Sequence, residues 1–214
     1  MAKSGVTSRP RGATVTGAAT RQALVDAAIE TLKSEGFAGA SARAIASRAG
    51  SNQALVFYHF GSVVDLLLAA LDDVSRRRLT RYQAAVGEVT TPTDLATVAA
   101  DVFREDMDTG DVAVLVEMIA GASSTPGLGP EVSARLGPWF SFAEQAVTST
   151  LAPPLDSVLP PGDVAYAVVA LYLGLEMLTH LDGDRARALG LFAHAKNLAG
   201  LLETLAAPAT TRQP

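Results

Sequence analysis

The sequence predicts an all-α protein of about nine helices, in which a three-helix helix-turn-helix domain precedes a larger helical domain. Three observations lead to this prediction. Apolar residues recur three and four positions apart through most of the 214 residues. No segment alternates apolar and polar residues as a half-buried strand does, and the chain carries no hairpin signal or internal repeat. Glycine and proline divide the chain into segments of helical length.

The first nineteen residues, 1–19, show no periodicity and are rich in small residues. We expect a disordered basic tail here. Its three basic residues, Lys3, Arg9 and Arg11, would suit an arm lying in a DNA minor groove. A flexible tail without a function is the simpler account of the same composition.

The first predicted helix runs from Thr20 to about Glu35, where Gly36 and Phe37 close it. Its apolar residues share one stripe that would pack inward. These residues are Leu24, Ala28, Ile29 and Leu32.

Two short helices joined by a glycine turn are predicted next, in SARAIASRAGSNQALVFYHF, residues 41–60. Ser41 can cap the first one, because its hydroxyl can accept a backbone N–H that has no partner at a helix start. Gly50 ends this helix, and Ser51 or Asn52 caps the next. A long helix follows at once. This is the pattern of a helix-turn-helix, in which one helix docks and the next enters the DNA major groove.

The second short helix has an inward and an outward face. Val56 and Phe60 lie four residues apart and form the inward face. On the outward face, Gln53 can hydrogen-bond a base edge, and Ala54 and Leu55 can contact thymine methyl groups.

The order of these residues resembles the DNA-binding domain of TetR-type transcriptional regulators. The resemblance rests on Ser-x-Arg-x-Ile-Ala at 41–46, the Ala-Gly turn at 49–50, and Phe-Tyr-His-Phe-Gly-Ser at 57–62 before a leucine-rich helix at 66–71. It covers roughly residues 20–71 and is only architectural beyond them. It implies that Tyr58 and His59 reach DNA phosphates. The expected DNA-contacting residues are Ser41, Arg43, Asn52, Gln53, Ala54, Leu55, Phe57, Tyr58 and His59.

Two residues depart from the family pattern. Val63 stands where the family commonly has lysine or another polar residue, and Phe57 stands where it often has tyrosine. Both changes bear on individual phosphate contacts rather than on the fold. They leave open an alternative, a helical interaction protein whose helix-turn-helix no longer binds DNA.

The composition excludes several classes of protein. The chain has no cysteine, so disulfides, thiolate metal sites and cysteine nucleophiles are absent. Three scattered histidines, with no Gly-x-Ser-x-Gly or P-loop sequence, argue against an enzyme and against a bound cofactor. The first twenty residues contain no apolar run, and the longest apolar stretch, 164–175, is too short to span a bilayer. We therefore expect a cytoplasmic protein without a membrane segment.

The charge is unevenly distributed along the chain. Residues 1–82 carry 11 Lys and Arg against 6 Asp and Glu, whereas residues 83–214 carry 6 against 16, so the two parts have formal charges of +5 and −10. A basic module attached to an acidic remainder is typical of a phosphate-binding domain joined to a domain that does not bind DNA. An acidic part that is merely solvated would look the same.

Arginines lie on the two helices that flank the second short helix, and they have alternative roles. Arg43, in the first turn of the preceding helix, could reach the DNA backbone, although a solvated arginine is the alternative. Consecutive arginines point in different directions around a helix, so the arginines of the basic patch on the fourth helix cannot all contact the same partner. We expect most members of the patch to be solvated or paired with Asp72 and Asp73, and do not assign them to DNA. They are Arg76, Arg77, Arg78 and Arg81.

Beyond the helix-turn-helix domain, assigned to residues 20–61, the sequence predicts a linker helix over 62–86 and a ligand-binding and dimerisation domain over 87–206. Gly137 and Pro138 should kink or split the seventh helix. The last eight residues are expected to be disordered. The helices after the linker are predicted at 92–108, 112–122, 131–151, 162–181 and 184–206.

Bulky residues of the second domain are candidates for lining a ligand cavity, although an ordinary core would also use them. Glu176 and His180 lie four apart on an apolar helix, where they could anchor a polar group of the ligand, pair with each other, or face a dimer partner. Glu176 and His180 could also form half of a metal site, but no further clustered histidine or cysteine in the sequence would complete it. The ligand-contacting set is Phe103, Met107, Met118, Trp139, Phe140, Tyr172, Glu176 and His180.

The last two predicted helices are apolar over wide faces and have surplus surface to bury. TetR-type proteins dimerise through their last two long helices, and these helices suit that role, although one face could belong to the core. The expected interface residues are Leu171, Leu175, Leu178, Phe192, Leu198 and Leu201. The resemblance thus implies a homodimer that binds a double-stranded DNA operator as a repressor and is released by a small, largely apolar effector.

Overall fold

A computed structural model of the chain describes residues 12–151 and 159–206, and it confirms the all-α prediction. Ten helices account for the regular structure of these residues. They are α1 (Gly12–Gly39), α2 (Ala42–Arg48), α3 (Gln53–Phe60), α4 (Val63–Val86), α5 (Pro92–Thr109), α6 (Val112–Ala122), α7 (Leu128–Ala134), α8 (Gly137–Thr150), α9 (Pro161–Asp182) and α10 (Arg185–Ala206).

The tenth helix arises because the predicted seventh helix is split. Helix α7 ends at Ala134, and α8 begins at Gly137 with Pro138 in its first turn. Proline is tolerated in that turn because its missing N–H would have no helical partner there. The split falls at the Gly-Pro pair, as the sequence predicts.

The start of α1 corrects the prediction for the N-terminal tail. The helix begins at Gly12, so the expectation of disorder over 1–19 is wrong from residue 12 onward, and residues 1–11 lie outside the described residues. The predicted end is confirmed, since Gly36 leaves helical geometry with φ of 71°. The predicted apolar stripe is also confirmed, because all four of its members are buried: Leu24, Ala28, Ile29 and Leu32.

The chain divides into two compact units between Leu71 and Asp72, inside α4. The sequence treats 62–86 as one linker helix, yet its first part belongs to the first unit and its remainder to the second. The leucines at the start of α4 contribute to the core, and Leu66, Leu67 and Leu71 are each at most 5% exposed.

Within the second unit, α10 runs antiparallel to α5. Near the start of α5, the Thr93 backbone N–H donates to the Glu203 carboxylate at 2.8 Å. Near its end, the Arg185 guanidinium contacts the Asp108 carboxylate at 2.5 Å and donates to the Met107 carbonyl at 2.8 Å. These contacts tie both ends of one helix to both ends of the other. Helix α9 packs mainly against α8.

Helix α9 corrects the estimate of apolar length made from sequence. Its 22 residues make it long and apolar enough to cross a membrane by length and composition, although the core helices of soluble proteins meet the same criteria. The uninterrupted apolar run, 164–175, is shorter than the helix because the residues that flank the run, some of them polar, belong to the same helix. Helices α3 and α4 meet these criteria only if they are taken together across a 72° bend.

Candidate nucleic-acid interface and buried polar site

The two short helices α2 and α3 form a capped helix-turn-helix. The Ser41 hydroxyl accepts the Ala44 backbone N–H at 3.2 Å, and the Asn52 amide oxygen accepts the Ala54 backbone N–H at 2.9 Å. Gly50 adopts a positive φ of 59° in the turn between them, where a side chain would be strained. Both predicted caps are therefore present. Because the side-chain oxygens of Ser41 and Asn52 serve the backbone, these residues would have to approach DNA as donors.

Helix α3 presents two distinct faces. Val56 is fully buried, and Phe60 is half-buried beneath the Arg21 guanidinium, which lies 4.8 Å from its ring centre. On the opposite side, Phe57 is 48% exposed and Tyr58 79% exposed. Exposed aromatic rings on one face of a short helix are surface that a globular unit would otherwise bury. The exposed residues of this face are Gln53, Ala54, Phe57 and Tyr58.

Two of the residues predicted to contact DNA are less exposed to solvent than expected. Leu55 is half-buried, and so is less exposed than the predicted outward-facing position implies. His59 is also half-buried, and its ring lies edge-on to Tyr58 at 4.9 Å and to Phe60 at 6.4 Å. Both side chains start from positions between the inward and outward faces of α3, which gives them partial contact with the core.

Two arginines of α2 and the first residue of α4 lie close to α3 in the sequence. Arg43 is exposed on α2. Arg48, also on α2, contacts the Glu35 carboxylate at 2.7 Å and the Ser34 hydroxyl at 2.9 Å, which ties α2 to α1. Val63, where the family pattern has a polar residue, is half-buried in the first turn of α4. Arg43 is thus the arginine of α2 whose position suits contact with a phosphate.

A buried cluster of charged residues in the second unit was not predicted from the sequence. Arg78 of α4 lies between two carboxylates, contacting Asp106 of α5 at 2.8 Å and Glu176 of α9 through a short hydrogen bond. All three side chains are at most 6% exposed. Arg81 also bonds to Asp106. Three helices are therefore joined by a cluster of ion pairs inside the unit.

Two tyrosines extend this cluster. The hydroxyls of Tyr82 and Tyr172 lie 2.7 Å apart, and the Tyr172 hydroxyl donates to the Asp106 carboxylate at 3.2 Å. The Tyr82 hydroxyl also donates to Asp106. The Trp139 indole lies beneath the Arg78 guanidinium at 5.3 Å. Asp106 thus accepts from two arginines and two tyrosines, which is what a fully buried carboxylate requires.

The cluster has three buried polar atoms without a hydrogen-bond partner, Oε2 of Glu176 and the Nε atoms of Arg78 and Arg81. Burial raises the pKa of the Glu176 carboxyl to about 7, although the Arg78 guanidinium acts in the opposite direction. Burial lowers the pKa of Arg78, but Glu176, Tyr82 and Asp106 outweigh this effect and hold it above its ordinary value. Burial also raises the pKa of the Tyr82 and Tyr172 hydroxyls. Glu176 is therefore a buried carboxyl poised near neutrality with a spare acceptor.

The sequence carried one signal for this cluster. Leu71, Val74, Arg78 and Tyr82 are spaced three and four apart, so Arg78 occupies a position in the apolar stripe of α4. An arginine in such a stripe must be buried and paired. The expectation that the patch is solvated or paired with Asp72 and Asp73 holds for Arg76 and Arg77, which both contact Asp73. It is wrong for Arg78 and Arg81.

The predicted ligand residues are only partly brought together. Phe103, Met107 and Tyr172 share one apolar cluster, and Tyr172 links it to Glu176 through Asp106 and Arg78. Trp139 joins from α8, and its indole N–H donates to the Ser75 hydroxyl at 2.7 Å.

The remaining three predicted residues lie elsewhere in the second unit. Met118 is fully buried on α6. Phe140 stacks on Tyr166 at 5.4 Å. His180 is exposed, and Glu176 is paired with Arg78, so the idea that Glu176 and His180 form a structural pair is wrong. Among the residues that the structure describes, no group of three or more potential metal ligands occurs.

The expected dimer residues also separate into two groups. Leu175 is buried beside Phe103 in the core of the unit, and Phe192 is partly buried against the same cluster, so both make contacts within one chain. The other four expected residues are between 58% and 63% exposed: Leu171, Leu178, Leu198 and Leu201.

The first unit is similar in sequence to known DNA-binding proteins. A family model described as bacterial regulatory proteins of the tetR family matches residues 24–70. HTH-type transcriptional regulators of Mycobacterium bovis and Mycobacterium tuberculosis are 29% identical over 123 residues, which cover 58% of this chain and 63% of each relative. The matched region thus spans less than two thirds of the length of these relatives.

Solved structures resemble most of the chain, across both units. A Rhodococcus sp. protein described as a TetR-family transcriptional regulator has a TM-score of 0.70 at 20% identity, covering 85% of this chain and 98% of that one. The transcriptional regulator FadR from Bacillus subtilis, in complex with stearoyl-CoA, has a TM-score of 0.67 at 16% identity, covering 83% and 96%. At these identities the likeness concerns the fold, a helix-turn-helix unit followed by a larger helical unit.

Proposed function

We propose that the chain is a TetR-type transcriptional regulator rather than an enzyme, and that it acts as a cytoplasmic, dimeric repressor that binds a palindromic DNA operator through α3. A small, largely apolar molecule bound in the second unit would release it. The observation that carries the proposal is the exposed aromatic and polar face of α3 on a capped helix-turn-helix. A helix that docks by one face and leaves the other open is what major-groove reading requires.

The charge distribution supports DNA as the partner of the first unit. Residues 1–71, which form this unit, carry 7 Lys and Arg against 4 Asp and Glu, a formal charge of +3, although the whole chain has −5. Phosphate contacts supply most of the sequence-independent affinity of DNA-binding proteins. Arg43 and the hydroxyl of Tyr58 are exposed on neighbouring helices, where both could meet the backbone of one duplex.

Arg43→Gln and Tyr58→Phe should weaken binding to all DNA sequences alike. Losing the Arg43 charge should flatten the slope of log K against log salt by about 0.9, because one fewer counterion is released. Tyr58→Phe removes a neutral donor, so it should lower affinity with little change in slope. The measurement is fluorescence anisotropy of labelled duplexes at several salt concentrations. Arg104→Gln, which removes an exposed charge from the second unit, is the control and should leave the slope unchanged.

A chain whose helix-turn-helix has lost DNA binding would give a different result. In that case the parent would show the same weak binding as Arg43→Gln at every salt concentration, and the interaction-protein alternative would be favoured. The proposal requires the parent to bind more tightly than both variants of the first unit.

The effector site is proposed around Phe103, Tyr172 and Trp139, with Glu176 as its polar anchor. Ligand pockets are mostly apolar with a few placed polar groups, and this region combines four aromatic rings with a buried acceptor that has no partner. The stearoyl-CoA held by the Bacillus subtilis neighbour supports a small-molecule role for a second unit of this fold. Effector binding would favour a dimer whose two α3 helices no longer match the operator.

Titration of the protein with apolar compounds, beginning with stearoyl-CoA, should reveal a compound that changes Trp139 fluorescence. Trp139 is the chain's only tryptophan, so the signal reports this region alone. The same compound should lower operator affinity by about 5- to 150-fold, the usual range of coupling between two sites. A compound that releases DNA with equal affinity for the parent, Glu176→Gln and Trp139→Phe would show that the pocket lies elsewhere.

Dimerisation is proposed through the exposed leucines of α9 and α10. Leu171 and Leu178 lie two turns apart on α9, as do Leu198 and Leu205 on α10, so each helix presents exposed leucines along one side. A soluble chain rarely leaves such apolar surface open. A two-fold dimer would place two α3 helices on successive turns of DNA, which is why a palindromic operator is proposed.

A further inference from the structure

The exposed face of α3 has an unusual chemical composition for a DNA-reading helix. Gln53 and Phe57 lie four residues apart, as do Ala54 and Tyr58, so the four side chains form one surface. Gln53 and Ala54 occupy the first turn, and the N-terminal residues of a recognition helix are those that contact base edges. This surface offers one amide, one methyl group and two aromatic rings.

The side chains that read G·C base pairs are missing from α3. Guanine is read by Arg or Lys on O6 and N7, and cytosine by Asp or Glu accepting from N4. The eight residues of α3, QALVFYHF, include none of these four types. Gln53 has the amide that pairs with N6 and N7 of adenine, and Ala54 and Phe57 have the apolar atoms that contact the thymine methyl group.

Three basic side chains in or near α3 do not change this balance. His59 is half-buried with its ring against Tyr58 and Phe60. Arg48 is held by Glu35 and Ser34 on α1. Arg43 lies on α2, the helix that crosses the DNA backbone in this motif rather than entering the groove.

We propose that α3 selects A·T base pairs, with an adenine opposite Gln53 and thymine methyl groups against Ala54 and Phe57. The inference rests on the proposed function, since it specifies which operator the regulator reads. The operator would then have A·T-rich half-sites at the base pairs beneath α3. Methyl contacts would supply a large part of their recognition, because the helix has a single bidentate hydrogen-bonding side chain.

The first test replaces thymine by deoxyuridine, which lacks the 5-methyl group but pairs identically. The site is first selected by the full-length chain from a pool of random duplexes, and each half-site thymine is then replaced in turn. Affinity should fall about fourfold for each methyl group that is contacted, the value of burying one such group. In Phe57→Ala the loss at one of these thymines should disappear, because the contacting ring is already absent.

The second test changes the base that is read. Gln53→Arg should bind a duplex in which the A·T pair opposite residue 53 is replaced by G·C more tightly than the selected one, by about tenfold or more, since Arg forks onto guanine. Gln53→Ala is the control, and it should lose the preference at this base pair without gaining another. Neither change touches a buried residue, so the fold should be retained.

The outcomes separate the two claims. If the selected half-sites are G·C-rich, or if deoxyuridine has no effect at any half-site position, the A·T inference is overturned while the proposed DNA binding stands. If no duplex is enriched by the parent, the proposed function itself fails. Enriched A·T half-sites together with a deoxyuridine effect that depends on Phe57 support both.

Discussion

Replacing Arg78 with Met should lower the free energy of unfolding by about 3–5 kcal/mol at neutral pH, because it leaves the buried Glu176 carboxylate without its counter-charge. Arg78 is the residue shared by Asp106 and Glu176, and neither carboxylate is exposed to water. Arg81 would remain on Asp106, whereas Arg78 is the arginine that contacts Glu176. Urea denaturation followed by circular dichroism measures the effect.

Arg104→Met is the matched control for this change. Arg104 is about half exposed and pairs with Asp101 within α5, and such surface pairs contribute about 0–1 kcal/mol. If both variants lose the same small amount, the buried cluster does not stabilise the fold as its geometry indicates.

The same cluster should make stability depend on pH through Glu176. Its pKa is raised from 4.5 to about 7 by burial, so the folded chain holds the proton more tightly than the unfolded chain does. This contributes stability that is fully present below the unfolded pKa and is lost as pH rises through about 7. Glu176→Gln cannot titrate, so its free energy of unfolding should rise relative to that of the parent between pH 5 and pH 8.

The comparison is made by denaturing both proteins at four or five values of pH across this range. The destabilisation in Arg78→Met should be smaller at pH 5 than at pH 8, since protonation neutralises the Glu176 carboxyl that lost its partner. A difference between Glu176→Gln and the parent that stays constant with pH would contradict the raised pKa.

Leu178→Arg or Leu201→Arg should convert the proposed dimer to a monomer and reduce operator affinity by about 10²- to 10⁴-fold, as expected when two linked contacts become single ones. Each leucine is about 60% exposed on its own chain, so the arginine can be solvated in the monomer. In the dimer it would be buried without a partner, at a severe cost. Sedimentation velocity and gel shift measure the two effects.

Two comparisons make this test specific. Gln83→Arg adds the same charge at an exposed position of α4 and should leave the dimer intact. Leu175→Arg should instead unfold the second unit, because Leu175 belongs to the core around Phe103. A parent that sediments as a monomer at micromolar concentration would remove the basis for the proposed interface.

Local chemistry explains why the first unit was largely predictable from the sequence. Ser41 and Asn52 cap α2 and α3 through backbone groups two or three residues away, and Val56 is buried by helical spacing alone. Short-range rules decide such features. The half-buried positions of Leu55 and His59 depend on how α3 rests on its neighbours, which spacing does not determine.

The buried site of the second unit depends on contacts between distant residues. Arg78 contacts Asp106 and Glu176, which lie 28 and 98 positions away in the sequence. The residues next to Arg78 in the sequence therefore do not predict which carboxylates it pairs with. Periodicity also fails on α9, because its apolar residues surround the helix. Leu175 faces the core and Leu171 and Leu178 face outward, although all three have the same chemistry.

Selection of duplexes from a random pool by the full-length chain tests the central claim most directly. The account predicts enrichment of an inverted repeat, with half-sites centred about 10 base pairs or a multiple of this apart, bound by two chains. Leu201→Arg should not enrich this repeat under the same conditions. Recovery of unrelated sequences by the parent, or of a single unrepeated site bound by one chain, would contradict a dimeric regulator that reads DNA through α3.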